Sequence, residues 1–319
     1  MQLKENRQIK QMYSSKFLLS NIMQIYWGVT NNCNLKCHYC SKYKSEEFYN
    51  LDYVNGIVEF INNLSNIKSA VFLKLFGGEP TTHPNILDII KNINSKVNVE
   101  LQTNLILDSL LLNEIIKIKN INAFNISLHY GLVDRNIFFK NLNLLLKHSS
   151  KYKYNILLNL MYEKDYHKLI DKDYQIYNQL SKAFYNFNVG ISLVYHNING
   201  EYDEATVDWV NNTYKKFKQS DRHINIIYND DTMEQSSFYY IKGMGYNKCK
   251  GMKCSCLKNN IYIDSNGDIY PCQSYFRDLK RKYGNILQDN NILDKLINEE
   301  YIICEADTCD CELDISKWR

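Results

Sequence analysis

The chain has 319 residues, of which 45% are hydrophobic and 23% are charged, and its formal net charge is +3. This composition is typical of a globular protein rather than a disordered one, and the small charge argues against nucleic acid as a partner. No segment reaches the ~18 consecutive apolar residues of a membrane helix, and the polar start lacks the apolar stretch of a signal peptide. Ten cysteines without an export signal therefore predict a cytoplasmic protein whose thiols serve metal or redox chemistry.

Residues 1–22 form a polar and then weakly apolar extension, which we interpret as a helix that caps the following domain. From Gln24 onward, strand-like runs alternate with segments that carry apolar residues at helical spacing, as in a parallel α/β architecture. Six strands are predicted, at Gln24–Thr30, Ala70–Phe76, Val97–Thr103, Ala123–His129, Tyr154–Met161 and Phe187–Tyr195. Helices are predicted between them at 53–64, 86–93, 110–119 and 137–148.

Several of these strands alternate polar with apolar residues instead of reading as continuous apolar runs. The polar sets are Glu100, Gln102 and Asn104, then Asn125, Ser127 and His129, then Asn155 and Asn159, then Asn188 and Ser192. Because successive side chains of a strand point to opposite sides, the apolar sets should meet the helices and the polar sets should face inward. We therefore predict a polar cavity inside the domain, with Lys74 facing inward and pairing with Glu100.

Three cysteines, Cys33, Cys37 and Cys40, follow the first strand in the spacing C-x3-C-x2-C. Their thiolates can reach one soft metal centre, but a structural zinc site and an iron–sulfur cube each have four positions to ligate. A triad without a nearby fourth ligand therefore indicates a position left open for another molecule. The alternative is a zinc site whose fourth ligand lies elsewhere in the chain.

The segment Phe76-Gly77-Gly78-Glu79-Pro80 ends the second strand. Two glycines let a backbone approach a ligand closely, and a neighbouring carboxylate suits an ammonium group. Together with the cysteine triad, this segment resembles the radical S-adenosylmethionine (SAM) superfamily, in which three cysteines hold a [4Fe–4S] cube and SAM chelates its fourth iron. The resemblance implies a partial (β/α)6 TIM-like barrel over residues 23–200. It also implies reductive cleavage of SAM to a 5′-deoxyadenosyl radical, with a flavodoxin- or ferredoxin-type electron donor.

The same resemblance implies which residues contact SAM. Tyr39 stands where the family packs a ring against adenine, and Ser127 stands where the fourth strand touches the ribose. The full set implied in this way is Tyr39, Gly77, Gly78, Glu79, Pro80, Ser127 and Asn159. His129 has no evident partner in the sequence and is interpreted as a structural histidine.

Residues 201–245 are predicted to bridge to a cysteine-rich end, with a helix at 204–217 and no chemistry of their own. Seven cysteines follow, as two copies of the spacing C-x4-C-x-C with Cys272 between them. Residues 260–271 predict a hairpin whose Asn266-Gly267 pair favours a type I′ turn, which would bring Cys272 back beside Cys254 and Cys256. The alternatives for these thiols are an iron–sulfur cluster and a zinc site.

The segment Gly267–Cys272 resembles the auxiliary-cluster domains called SPASM and twitch. This resemblance implies that residues 246–319 form a small domain with one auxiliary [4Fe–4S] cluster, with two clusters as the alternative. The expected ligands are Cys249, one of Cys254 and Cys256, Cys272, and one of Cys309 and Cys311. A thiol that ligates no cluster is a candidate hydrogen-atom donor to the substrate.

The resemblance leaves three functions open. The first is modification of a ribosomally made peptide by crosslinking, epimerisation or oxidation. The second is dehydrogenation or epimerisation of a small molecule such as a sugar or aminocyclitol. The third is a non-catalytic iron–sulfur protein, against which the intact cysteine triad and Gly-Gly-Glu-Pro segment argue.

Overall fold

A computed structural model describes residues 8–14, 21–40, 51–194, 202–214, 224–236, 241, 245–309 and 317–318. Its strands are β1 (Ile9–Ser14), β2 (Ile22–Thr30), β3 (Ala70–Gly77), β4 (Val97–Thr103), β5 (Ile121–Leu128), β6 (Asn155–Tyr162), β7 (Phe187–Leu193), β8 (Ile224–Tyr228), β9 (Met233–Ser236), β10 (Lys253–Cys254), β11 (Asn260–Ile263), β12 (Asp268–Tyr270), β13 (Gly284–Asn285), β14 (Ile302–Ile303) and β15 (Lys317–Trp318). Its helices are α1 (Leu51–Ile67), α2 (Ile86–Asn92), α3 (Ser109–Ile115), α4 (Arg135–Tyr152), α5 (His167–Ala183), α6 (Glu204–Tyr214) and α7 (Ile292–Ile297).

Strands β2 to β7 form a parallel sheet in chain order, and they confirm the six predicted strands. Tyr195, the predicted end of the sixth strand, and residues 215–217 of the helix predicted at 204–217 lie outside the described residues. Helix α5 was not predicted, because Tyr174 and Tyr177 supply much of its buried face and tyrosine is a weaker signal of burial than leucine. Each parallel strand up to β7 is followed by a helix, as a partial TIM-like barrel requires.

Side chains alternate along the strands, so that apolar residues lie on the outer face of the sheet and polar residues lie inside the barrel. On β4 the odd-numbered residues Val97, Val99 and Leu101 are fully buried in the core beneath the helices, and the even-numbered residues are partly accessible. The largest side chains of this core include Trp27, Phe124, Phe138, Tyr154 and Phe187. Burial of their apolar area is the main driving force for packing the helices on the sheet.

A ladder of side-chain hydrogen bonds crosses four strands inside the barrel. Asn125 Nδ2 donates to Glu100 Oε1 at 2.9 Å, and Asn159 Nδ2 donates to Asn125 Oδ1 at 2.6 Å. Ser192 Oγ then donates to Asn159 Oδ1 at 3.2 Å. This ladder confirms that the predicted polar sets face inward. Lys74 stands opposite Glu100 in the strand register, and its ammonium donates to the Tyr26 hydroxyl at 2.9 Å.

The cysteine-rich end is joined to the barrel through the sheet itself. Strand β11 pairs in parallel with β2, and β12 and β13 extend the same nine-stranded sheet. Residues 246–319 were predicted to form a small auxiliary-cluster domain, and in the structure the hairpin of this region continues the barrel sheet. The hairpin itself was predicted, and it places Asn260 beside Cys256 and against the carbonyl that precedes Cys272.

The hairpin loop is not the predicted type I′ turn. Such a turn needs two residues with positive φ, and in this loop only Gly267 has one, at +74°. The buried Asp264 carboxylate instead organises a longer loop by accepting from the backbone N–H groups of Asn266 at 2.8 Å and Asp268 at 3.0 Å. In the sequence, this longer loop is indicated by Asp264, which immediately precedes the Ser-Asn-Gly run.

Within the N-terminal extension, Ile9–Ser14 form a strand and not the helix we expected. β1 pairs antiparallel with β8 and β15 in a second sheet, whose order is β14-β10-β15-β1-β8-β9. Its Met12 is buried among the C-terminal cysteines. The predicted bridge contributes β8 and β9 to this sheet, so residues 8–14 and 224–236 help to enclose the cysteine-rich end. None of the described helices is long and apolar enough to cross a membrane.

Asn141 on α4 holds the loop that follows β4, and its replacement tests this part of the fold. Its buried amide donates to the carbonyls of Leu105 at 3.1 Å and Leu107 at 2.8 Å. Asn141→Leu leaves these carbonyls without a donor, so urea denaturation should show a loss of about 1–3 kcal/mol in the free energy of unfolding. Asn143→Leu, on the exposed side of the same helix, is the matched control and should change little.

Asp264 should make stability depend on pH. Burial raises the pKa of this carboxyl from 3.8 to about 6, against the opposing effect of its backbone hydrogen bonds. Because its pKa is higher in the folded than in the unfolded state, Asp264 favours folding in its protonated form. Its contribution to the free energy of unfolding is fully present below about pH 4 and is lost as pH rises through about 6. The loss should be on the order of 2–3 kcal/mol, and Asp264→Asn should remove it, as followed by thermal unfolding across this range.

Asp230→Asn is the control for Asp264. Asp230 also accepts a backbone N–H in a hairpin loop, from Thr232 at 3.1 Å, but it is exposed to solvent. If Asp264→Asn and Asp230→Asn changed the dependence of stability on pH by the same amount, the role of burial at Asp264 would be contradicted.

Candidate functional site

A cavity of about 270 Å³ opens at the carboxyl ends of β3, β4 and β5. Carboxyl ends of parallel strands are where α/β folds place their ligand sites. The lining combines the cysteine loop with strand-end residues, namely Cys33, Leu35, Cys37, Tyr39, Cys40, Phe76, Gly77, Gly78, Glu79, Gln102, Thr103, Asn104, Ser127 and His129. The structure therefore brings the predicted triad and most of the predicted SAM contacts to one cavity.

The cysteine loop is fastened to the end of β4 by two asparagines. Asn104 Nδ2 donates to Asn34 Oδ1 at 2.7 Å, and Asn34 Nδ2 donates to the Ile106 carbonyl at 2.6 Å. Leu35 is buried and anchors the middle of the loop. Cys33 and Cys37 are half-buried and Cys40 is exposed, so all three thiols remain accessible from the cavity.

Gly77 and Gly78 are required by contact with the start of the cysteine loop. Gly78 N–H donates to the Thr30 carbonyl at 2.8 Å, and Glu79 N–H donates to the Asn32 carbonyl at 2.7 Å. A Cβ on Gly78 would lie 2.0 Å from the Asn32 carbonyl oxygen, and one on Gly77 would lie 2.2 Å from that of Thr30. Gly77 also has φ of +150°, within the region that favours glycine. From the sequence, we expected these glycines to let the backbone approach a ligand. In the structure both line the cavity, and their nearest neighbours are backbone atoms of this chain.

Glu79 ties the end of β3 to the end of β4. Its Oε1 accepts from Thr81 Oγ1 at 2.7 Å and from Thr103 Oγ1 at 2.8 Å, and its Oε2 accepts from Asn104 N–H at 2.7 Å. Burial raises the pKa of this carboxyl, while these hydrogen bonds act in the opposite direction. Pro80 begins the buried 3-10 turn Pro80–Thr82 that follows. In the structure Glu79 is therefore a cross-strand tie as well as part of the cavity wall.

Tyr39 and His129 meet beside the second cysteine of the loop. The Tyr39 hydroxyl lies 2.6 Å from His129 Nδ1, and the two rings stack with centroids 5.8 Å apart. The same nitrogen lies 3.7 Å from Cys37 Sγ. Burial, followed by the charges of Cys37 and Glu163, raises the pKa of Tyr39 far above its ordinary value, so its hydroxyl remains protonated. Sequence reasoning missed this role of His129, because its partners are distant in the chain.

The two remaining predicted contacts have different surroundings. Ser127 lines the cavity, as the resemblance implied. Asn159 is not among the lining residues, because its amide is engaged in the interior ladder with Asn125 and Ser192. Strand β6 thus contributes to the floor beneath the cavity through Asn159.

Six C-terminal cysteines form a second, buried group: Cys249, Cys254, Cys256, Cys272, Cys304 and Cys309. Backbone hydrogen bonds hold the later part of this segment against the earlier part, from Cys304 N–H to the Met252 carbonyl at 2.9 Å and from Cys309 N–H to the Asn247 carbonyl at 2.7 Å. Cys304, which was not among the expected ligands, is as deeply enclosed as the others. Cys311 lies outside the described residues.

Both cysteine groups fit iron–sulfur clusters by the chemistry of their donors. Thiolates are the protein ligands of these clusters, and no disulfide joins the nine cysteines of the described residues. In the part of the chain that the structure describes, no three His, Cys, Asp or Glu side chains converge as ligands of a single metal ion. The fit therefore rests on donor type for both groups and, for Cys33, Cys37 and Cys40, also on the cavity that they share.

Comparison with known proteins gives the same picture for the barrel. Residues 27–161 match the family model of the radical SAM superfamily. A stretch of 75 residues is 33% identical to GTP 3′,8-cyclase of Clostridium perfringens and covers 23% of each protein. The chain thus matches less than a quarter of that relative's length.

Solved structures share the fold over most of the chain. Streptococcus suis SuiB bound to precursor peptide SuiA has a TM-score of 0.58 and 19% identity, over 88% of this chain and 66% of that one. The enzyme anSMEcpe, with bound AdoMet and Cp18Cys peptide, has a TM-score of 0.53 and 18% identity, over 88% of this chain and 80% of that one. These likenesses show that the chain shares the α/β fold of those proteins over most of its length.

Replacement of Gly78 tests whether its backbone contact holds the cysteine loop. Gly78→Ala forces the Asn32 carbonyl away, so the protein should retain less iron after anaerobic reconstitution and unfold at a lower temperature. Gly28→Ala on β2 is the matched control, because its Cβ would meet the Tyr262 hydroxyl at an ordinary 3.4 Å. Equal iron retention in the two variants, measured by colorimetric assay, would contradict this role of Gly78.

Proposed function

We propose, for a chain whose residues 27–161 belong to the radical SAM superfamily, that it cleaves SAM reductively and abstracts a hydrogen atom from a C–H bond of a ribosomal peptide. The cofactors of this superfamily are a [4Fe–4S] cluster and SAM. The observation that carries the proposal is that Cys33, Cys37, Cys40 and the Gly77-Gly78 backbone line one cavity. The proposed outcome is crosslinking, epimerisation or oxidation of the peptide.

The triad would hold three irons of the cluster, and the fourth would be left for the amino and carboxylate groups of SAM. When bound, the cluster supplies one electron and SAM supplies the group that takes the hydrogen atom. Ser127 and Tyr39 both line the cavity, which supports the proposal that they contact SAM. By fixing the loop, the Asn34–Asn104 and Glu79–Asn104 hydrogen bonds keep the three thiols oriented.

The walls of the cavity limit access of water to the reacting groups. Leu35 and Phe76 are buried apolar residues at its edge, and the ladder from Glu100 to Ser192 closes the barrel interior beneath it. A hydrogen-abstracting group needs such enclosure, because side reactions compete with transfer from the substrate. The polar groups of the floor suit the amide groups of a peptide.

The peptide as substrate class is supported by the two structural relatives. One is crystallised with a precursor peptide and the other with a short peptide, and each shares the fold over 88% of this chain.

The buried C-terminal thiols are proposed to hold one auxiliary [4Fe–4S] cluster. The proposed ligands are Cys249, Cys272, one of Cys254 and Cys256, and one of Cys309 and Cys311. Phe76 belongs to the packing of this thiol group and also lines the cavity, so the two sites share a wall. The auxiliary cluster would then accept the electron left on an oxidised product, and a flavodoxin- or ferredoxin-type protein in the cytoplasm would reduce the first cluster.

Iron content and SAM cleavage test the proposal together. Reconstituted protein should contain about eight irons per chain, as two [4Fe–4S] clusters require, and should form 5′-deoxyadenosine from SAM and dithionite. Cys37→Ala should lose about four irons and all 5′-deoxyadenosine. Cys272→Ala is the matched variant in the second site, and it should lose about four irons while the remaining cluster still binds SAM.

One result for SAM cleavage and one result for the substrate would contradict the proposal. Absence of 5′-deoxyadenosine from fully reconstituted protein would exclude SAM cleavage. For the substrate, peptides encoded by short reading frames that flank the gene are the probes, and mass spectrometry should detect a changed mass. Stimulation of SAM cleavage by a sugar or aminocyclitol instead of these peptides would replace the peptide by a small-molecule substrate.

A further inference from the structure

His129 stands where the cysteine loop meets the end of β5. Its Nδ1 lies 2.6 Å from the Tyr39 hydroxyl and 3.7 Å from Cys37 Sγ, and its ring stacks on that of Tyr39 with an interplanar angle of 17°. The Tyr39 hydroxyl is itself hydrogen-bonded to the Cys37 thiol. An imidazole, a phenol and a thiol thus form one hydrogen-bonded group at the wall of the cavity.

The chemistry of these three groups fixes the direction of their hydrogen bonds once a cluster is present. A ligating cysteine is a thiolate, and a thiolate sulfur only accepts hydrogen bonds. The inference takes the tautomer in which His129 Nδ1 carries the hydrogen, so that this N–H and the Tyr39 O–H are donors that point toward Cys37 Sγ directly or in sequence through the tyrosine oxygen. Hydrogen bonds to ligating sulfurs stabilise the reduced, more negative cluster, and partners of metal ligands also orient them.

We propose that His129 is a positioning residue that acts through Cys37: it fixes Tyr39 against the loop and completes the hydrogen bonding of the Cys37 sulfur. The consequences are a higher reduction potential of the SAM-binding cluster and slower loss of its iron. This inference rests on the proposed function, because it requires a cluster on Cys33, Cys37 and Cys40.

The neighbouring loop residue His38 provides an internal comparison. Its Nε2 lies 3.1 Å from Glu163 Oε2, just after the end of β6, so it ties the same loop to the next strand. The ring of His38 is 63% exposed and stands edge-on to Tyr39 at 5.0 Å, and its contact with Glu163 includes no sulfur atom. Loss of His38 therefore loosens the loop without removing a donor from Cys37.

The test compares four variants of the reconstituted full chain: His129→Leu, His129→Asn, Tyr39→Phe and His38→Leu. The first measurement is the midpoint potential of the cluster whose electron paramagnetic resonance signal responds to SAM. The second is the rate at which an iron chelator removes iron from that cluster. His129→Leu should shift the potential to a more negative value and speed iron removal roughly 10–100-fold, the usual effect of losing a partner of a metal ligand.

The other variants separate hydrogen bonding from packing. His129→Asn places an amide N–H near the position of Nδ1, so it should restore most of the wild-type potential. Tyr39→Phe keeps the ring but removes the hydroxyl, so it should shift the potential in the same direction as His129→Leu. His38→Leu should leave the potential unchanged.

A potential that is the same in wild type and His129→Leu would overturn the inference. An equal shift in His38→Leu would overturn it too, because the effect would then come from a looser loop. Either result leaves the proposed function intact, provided that the wild-type cluster responds to SAM. A wild-type cluster that ignores SAM would overturn the proposed function and, with it, this role of His129.

Discussion

The backbone of Gly78 lies directly against the backbone of Asn32, and the arrangement of the site depends on this contact. It allows the first residues of the cysteine loop to continue the hydrogen bonding of β2 and β3 beyond the ends of those strands. Any side chain at residue 78 would occupy the space of the Asn32 carbonyl, since even a Cβ would lie 2.0 Å from its oxygen. The thiols are therefore placed by the sheet and not by the loop alone.

From that contact a closed set of hydrogen bonds runs around the mouth of the cavity. Glu79, at the end of β3, accepts from the N–H of Asn104, which follows β4. The Asn104 side chain in turn donates to Asn34, which is part of the cysteine loop. On the opposite side, Asn31 donates to the Ser265 hydroxyl at 3.2 Å, so the tip of the C-terminal hairpin also touches the start of this loop. A buried carboxylate and several amides are costly to desolvate unless they are paired, and here each serves to fix the position of a thiol.

The sequence indicates the barrel, the cysteine triad and the hairpin because each depends on local pattern. The alternation of Glu100, Gln102 and Asn104 with valine and leucine gives both the strand and its polar face, and the structure agrees. What local pattern does not contain is the identity of distant partners. Residues 9–14 became a strand because 224–228 lie beside them, and His129 became part of the site because Tyr39 lies beside it. Asn159 has the predicted orientation, yet its neighbours Asn125 and Ser192 engage it away from the cavity wall.

We propose that one iron of the N-terminal cluster has no protein ligand and accepts SAM. Mössbauer spectroscopy of protein loaded with ⁵⁷Fe tests this most directly, in a variant whose C-terminal cysteines are replaced so that a single cluster remains. Addition of SAM should make one of the four irons distinct from the other three, because that iron gains nitrogen and oxygen ligands. A spectrum that SAM leaves unaltered would show that no iron is open, and it would contradict this account of the site.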